Sequence, residues 1–169
     1  MEVINGTIIS YRTSDSGCWY TIISGTGKKH FFSRKRMFSL FESCEVVLVN
    51  KNCSYFLSDY QHSSDDAPLR HFPVNLMAAA WFSILAESLH DVTVPEINFI
   101  RRCAEVLSSG KVDDKKLSDI ENFYLSVSGF GKNDEKYNIF KECFPQKMRL
   151  RDSLLNQIKR GGHDCSSNY

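Results

Sequence analysis

The hydrophobic pattern of this chain changes period once, and that change is the strongest constraint on its fold. Up to about residue 60, β-branched and aromatic residues fall in short runs separated by turn residues; from Pro73 onward, apolar residues recur at three- and four-residue spacing. Strands first and helices second specify an α+β chain whose two kinds of structure are in series rather than interleaved. A chain of 169 residues is long enough to bury a core in each part.

The first part reads as five strands. Val3, Ile4, Thr7, Ile8, Ile9 and Tyr11 form an opening run, closed by the turn cluster Arg12–Gly17. Cys18–Ile23 is a second strand, and the loop Ser24–Gly27 feeds a third, Lys28–Ser33, as an antiparallel hairpin. Arg34–Glu42, with Met37, Phe38, Leu40 and Phe41, fits either a short helix or a loop closing one end of a barrel. Glu45–Val49 is an apolar strand, Asn50–Asn52 a turn and Ser54–Tyr60 the last strand. This spacing of turns points to a five-stranded barrel of the oligonucleotide-binding (OB) type over residues 1–60, followed by a connector at 61–72.

An all-α domain is expected over 73–160, with a mobile tail at 161–169. Its first helix starts at Pro73 and places Met77, Ala80, Trp81, Ile84, Leu85 and Ser88 on one face. The run Leu76–Phe82 is apolar nearly all round, which makes this helix central. Thr93 with Glu96 three positions later and Pro95 between them marks the next start. The expected stripe there is Ile97, Ile100, Ala104 and Leu107, ended by Gly110. A third helix over about 114–126 turns Leu117, Ile120, Phe123 and Tyr124 inward, and Gly129 and Gly131 flank a sharp connection; two more helices are expected near 133–143 and 146–160.

Recognisable catalytic chemistry is missing from the sequence. No phosphate-cradling motif, nucleophile elbow or H-E-x-x-H is present. Gly25-Thr26-Gly27-Lys28-Lys29 imitates a phosphate loop but joins two strands, so no helix N-terminus would face the phosphate. His90 at a helix end is explained by the helix dipole, and Asp65-Asp66 by solvation in the connector. Cys143, His163 and Cys165 have irregular spacing for zinc and lack a fourth ligand. The chain is therefore expected to be no enzyme, with no metal and no cofactor. The six cysteines are scattered and no signal sequence precedes them, so a cytoplasmic protein with reduced thiols is expected; the apolar runs are too short to span a membrane.

With a net charge of +1, attraction to a polyanion must come from local clustering. Gly27–Arg36 supplies it: Lys28, Lys29, Arg34, Lys35 and Arg36 with no acid, and Phe31 and Phe32 between them. Cations hold phosphates and aromatic faces stack bases, so these seven side chains are the candidate nucleic-acid-binding residues. Trp19–Tyr20, Phe31–Phe32 and Tyr55–Phe56 are adjacent pairs on strands; one member of each fills the barrel and the other faces outward, in a phase the sequence leaves open.

In the order of its elements the chain resembles the RecO family of bacterial recombination mediators. The matching residues are Gly6-Thr7-Ile8-Ile9, Gly27-Lys28 and the basic loop Ser33-Arg34-Lys35-Arg36. Leu40-Phe41 leading into Glu45–Val49 and the small-residue helix Leu76–Glu87 follow in the same order, so the likeness spans about residues 2–128. It departs from that family in its short length and in lacking a C-x-x-C zinc module. The resemblance implies an OB barrel that binds single-stranded and also double-stranded DNA, anneals strands or loads recombinase, and meets RecR and the tail of single-stranded-DNA-binding protein. The competing expectation is a protein-interaction adaptor in which helix 74–89 and the pair Phe123–Tyr124 line a peptide groove on a barrel scaffold.

Overall fold

The computed structural model describes residues 1–62, 72–89, 92–130 and 135–161. Five strands, β1 (Glu2–Ser14), β2 (Gly17–Ser24), β3 (Gly27–Ser33), β4 (Ser43–Lys51) and β5 (Ser54–His62), close into a barrel in the order β1-β2-β3-β5-β4. All pairings are antiparallel except the short parallel contact of β3 with β5, at Phe31–Tyr55 and Phe32–Phe56. This is the OB-like barrel that the turn spacing predicts. Closure depends on β1, whose first half pairs with β4 and whose second half pairs with β2. The strand crosses between partners at Gly6, where a Cβ would run into the Ile23 carbonyl, so only glycine fits.

A bulge between Ile8 and Ser10 has a second consequence. The extra residue puts Ile8 inside the barrel and Ile9 on its outer side, both fully buried. Ile9 and Ile23, with Phe41 from the β3–β4 loop, belong to the core of the helices. That loop is the barrel-closing alternative of the two left open by sequence. Phe38 enters the barrel, edge-on to Tyr20 at 5.3 Å, and the Met37 amide donates to the Tyr20 hydroxyl at 2.9 Å. Phe41, at φ 60°, turns the other way and meets Phe82 at 6.4 Å.

The helices are α1 (Pro73–Ser88), α2 (Val94–Ser108), α3 (Asp114–Val127), α4 (Lys136–Cys143) and α5 (Met148–Gly161), the last preceded by a 3-10 turn at Pro145–Lys147. As its composition requires, α1 is central, but its buried face is wider than the expected stripe and rotated from it. Val74, Asn75, Ala78, Ala79, Trp81, Phe82, Ser83, Leu85 and Ala86 are buried, while Met77, Ala80 and Ile84 are only partly so. The reason is that α1 packs on the barrel, α2 and α5 at once. On α2, Phe99, Cys103 and Val106 join Ile100 and Leu107, displacing Ile97 and Ala104 to the margin; on α3, Glu121 and Leu125 displace Phe123. The Thr93 amide donates to the Glu96 carboxylate at 3.0 Å, the capping interaction read from sequence, and Gly129 at φ 85° follows α3.

Glu121 is 1% exposed and satisfied on every side. Arg151 approaches it with Nε at 2.6 Å and Nη2 at 2.9 Å, and Trp81 donates at 3.2 Å. This network ties α1, α3 and α5 into one body. Strand β5 runs two residues into the expected connector. Residues 63–71 of that connector, including Asp65 and Asp66, lie outside the described residues, as do His90, Gly131 and the tail beyond Gly161 with His163 and Cys165.

Candidate nucleic-acid interface

Strand register decides the role of each residue in the basic segment. Cys18, Tyr20 and Ile22 point into the barrel, which turns Trp19 outward, 41% exposed. Pairing of Trp19 with Phe32 carries the same phase onto β3, so Phe31 points in and is 0% exposed. It stacks on Tyr20 at 5.4 Å. Phe31 therefore has no face to offer a base, a correction to its expected role. Its neighbour Phe32 does face outward, as does Phe56 on β5. The rings form a row, Trp19 to Phe32 at 5.3 Å and Phe32 to Phe56 at 6.0 Å, across the outer faces of three strands.

Along this row runs an open groove of about 690 Å³, lined by Phe32, Phe56, Arg34, Lys35, Lys51 and Asp59 among others. Arg34 and Lys35 are exposed and form no ion pair among the described residues. Arg36 is exposed as well; its guanidinium lies 4.5 Å over the Tyr11 ring and donates to a hydroxyl, that of Tyr11 itself. Three cations against one carboxylate give the groove a positive balance. Nothing in the sequence singles out Lys51, which folding delivers from the end of β4.

Lys28 and Lys29 are placed otherwise, and this is a second correction. Lys28 leaves the barrel and caps the end of α1, donating to the carbonyls of Ala86 at 3.1 Å, Glu87 at 3.3 Å and Leu89. A lysine there meets the negative end of the helix dipole. Burial pulls its ammonium below the ordinary value, opposed by the carboxylates of Glu87 and Glu96. Lys29 points the same way as Phe31 but at the barrel mouth, pairing with Glu2 and lying 5.1 Å over the Tyr55 ring. Its hydrogen bond to Glu2 pushes its pKa up. Both lysines hold the fold together and neither lines the groove.

Five of the residues expected to line a peptide groove are buried. Ala78, Ala79, Trp81, Phe82 and Tyr124 are all at most 5% exposed and form the common core. The thiols offer no nucleophile near neutrality at two buried sites: desolvation pushes Cys44 up to about 12, and Cys103 well above its ordinary value. Among the described residues no group of three metal-ligating side chains comes together, and Cys143 is exposed on α4. No helix among them is long and apolar enough to cross a membrane. Comparison with protein-family models gives no match, and comparison with curated proteins gives none either.

Proposed function

We propose that this chain binds single-stranded DNA along the outer face of its barrel and acts, without catalysing a reaction, as a recombination or repair mediator of the RecO type. The observation that carries the reading is the row Trp19–Phe32–Phe56 beside Arg34 and Lys35. Aromatic faces accept any base, while cations spaced beside them follow the backbone. The face lies on strands 2 and 3 of the barrel, the surface that OB folds present to oligonucleotides. Annealing or loading needs a strand held open and requires no active site. The order of elements supports the RecO likeness, which extends the proposal to RecR and the tail of single-stranded-DNA-binding protein as partners.

Arg34, Lys35 and Lys51 line the groove, Arg12 lies beside Trp19, and Arg36 is exposed over Tyr11. Five phosphate contacts give a log–log salt slope of about −3.5 for a single strand. Anisotropy of a labelled mixed-sequence oligonucleotide, titrated at increasing salt, measures it. Binding with a slope near that value is expected; no binding at low salt would overturn the proposal.

A further inference from the structure

Beyond Trp19, on the side away from the groove, the barrel and α1 enclose a cleft of about 580 Å³. Its lining comes from β1, β2 and β3 (Tyr11, Arg12, Trp19, Thr21, His30) and from α1 (Ser83 and Glu87). We infer that this cleft is a nucleobase subsite, which takes one base turned out of the bound strand and prefers cytosine or guanine to thymine. The inference rests on the single-strand-binding reading above and specifies it.

Two polar side chains of α1 face the cleft. Ser83 is 7% exposed, lines the cleft, and its hydroxyl has no hydrogen-bond partner among the described residues. The hydroxyl opens into the cleft, where it can donate to or accept from a bound base. Glu87 lies one turn further along the same helix face. Its carboxylate is in no ion pair within 4 Å among the described residues. Its backbone is held in place, since its carbonyl accepts from Lys28. A carboxylate repels phosphate, so the cleft suits a base edge and leaves the backbone outside, beside Arg12.

The opposite wall supplies an imidazole. Ser10 donates its hydroxyl proton to Thr21 at 3.0 Å, and Thr21 Oγ1 lies 3.0 Å from His30 Nδ1. This contact holds the imidazole by Nδ1, and its Nε2 donates or accepts according to the tautomer. The cleft thus combines an aromatic wall at Trp19, an acceptor at Glu87, a hydroxyl at Ser83 and an imidazole at His30. Cytosine and guanine carry an amino donor and a carbonyl acceptor on one edge. Thymine offers a single N–H there, flanked by two carbonyls that the Glu87 carboxylate disfavours.

The test compares a labelled oligothymidylate with the same oligomer in which one central thymidine is replaced by cytidine or by guanosine. Wild-type protein is expected to bind the replaced oligomers about tenfold more tightly. Glu87→Gln is expected to abolish this preference, and Ser83→Ala to reduce it in part. Equal binding of all three oligomers by wild type, or a preference that survives Glu87→Gln, overturns the subsite while single-strand binding stands. Failure to bind any of them overturns both.

Discussion

Lys28-Lys29 and Arg34-Lys35-Arg36 sit at the two ends of one short basic segment, and in sequence they look alike. In the fold they part. The first pair is consumed by structure, one lysine on the end of α1 and the other on Glu2; the second group is exposed, with Arg34 and Lys35 beside the aromatic row. The same division separates Phe31 from Phe32, adjacent residues of which one fills the barrel and one faces the groove. A cluster of charge in a sequence is thus a supply of cations, and the fold decides how many remain for a partner.

The sharpest way to break this comparison is at the phenylalanines. Phe31→Ala should destabilise the protein by about 3–5 kcal/mol, read as a lowered urea midpoint, because it empties the centre of the barrel. Phe32→Ala should cost far less stability and instead weaken oligonucleotide binding by about 1–3 kcal/mol. Equal losses of stability in the two variants would remove the distinction between faces. The cations come next. Replacing Arg34, Lys35 and Arg36 together with serine should flatten the salt slope by about two units, with the thermal midpoint unchanged. Lys28→Met should do the reverse, costing about 1–2 kcal/mol in urea unfolding and leaving the slope alone.

The smallest effect concerns pH, and the two neighbouring lysines have opposite signs. Lys29 titrates above its ordinary value of 10.5 in the folded state, so the stability it adds is present below 10.5 and is lost as pH rises through the raised value. Lys28 titrates below 10.5 when folded, so stability rises as pH climbs from that lowered value towards 10.5. Urea midpoints of Lys29→Met and Lys28→Met between about pH 9 and 11 should diverge from wild type in opposite directions. Parallel curves would mean that the two ammonium groups share one environment.

Much of the architecture was legible because local rules carry it. Turn residues separated the strands, the period-2 and helical patterns named the elements, and Thr93 with Glu96 marked the start of a helix. The candidate site was legible only as a composition. Alternation says that one of Trp19 and Tyr20 must face out. Cys18-Tyr20-Ile22 is a more apolar set than Trp19-Thr21-Ile23, and this hints at the phase on β2. On β3 neither alternate set is apolar, so Phe31 and Phe32 could be told apart only through their register with β2. Lys51 had no signal at all, since a lone lysine in a turn is ordinary.

The sequence by itself determined a barrel followed by helices, because hydrophobic period, turn chemistry and helix caps act over a few residues. Only the tertiary structure decided that half of the basic segment is spent on the α1 carbonyls and on Glu2. It alone brought Ser83 and Glu87 opposite His30. Those outcomes depend on a β1 bulge that turns Ile9 outward and on the packing of α1 against that face, which bring together residues more than fifty positions apart. Local preferences are fixed by neighbours in the chain, whereas a binding face is fixed by which surfaces the core leaves uncovered.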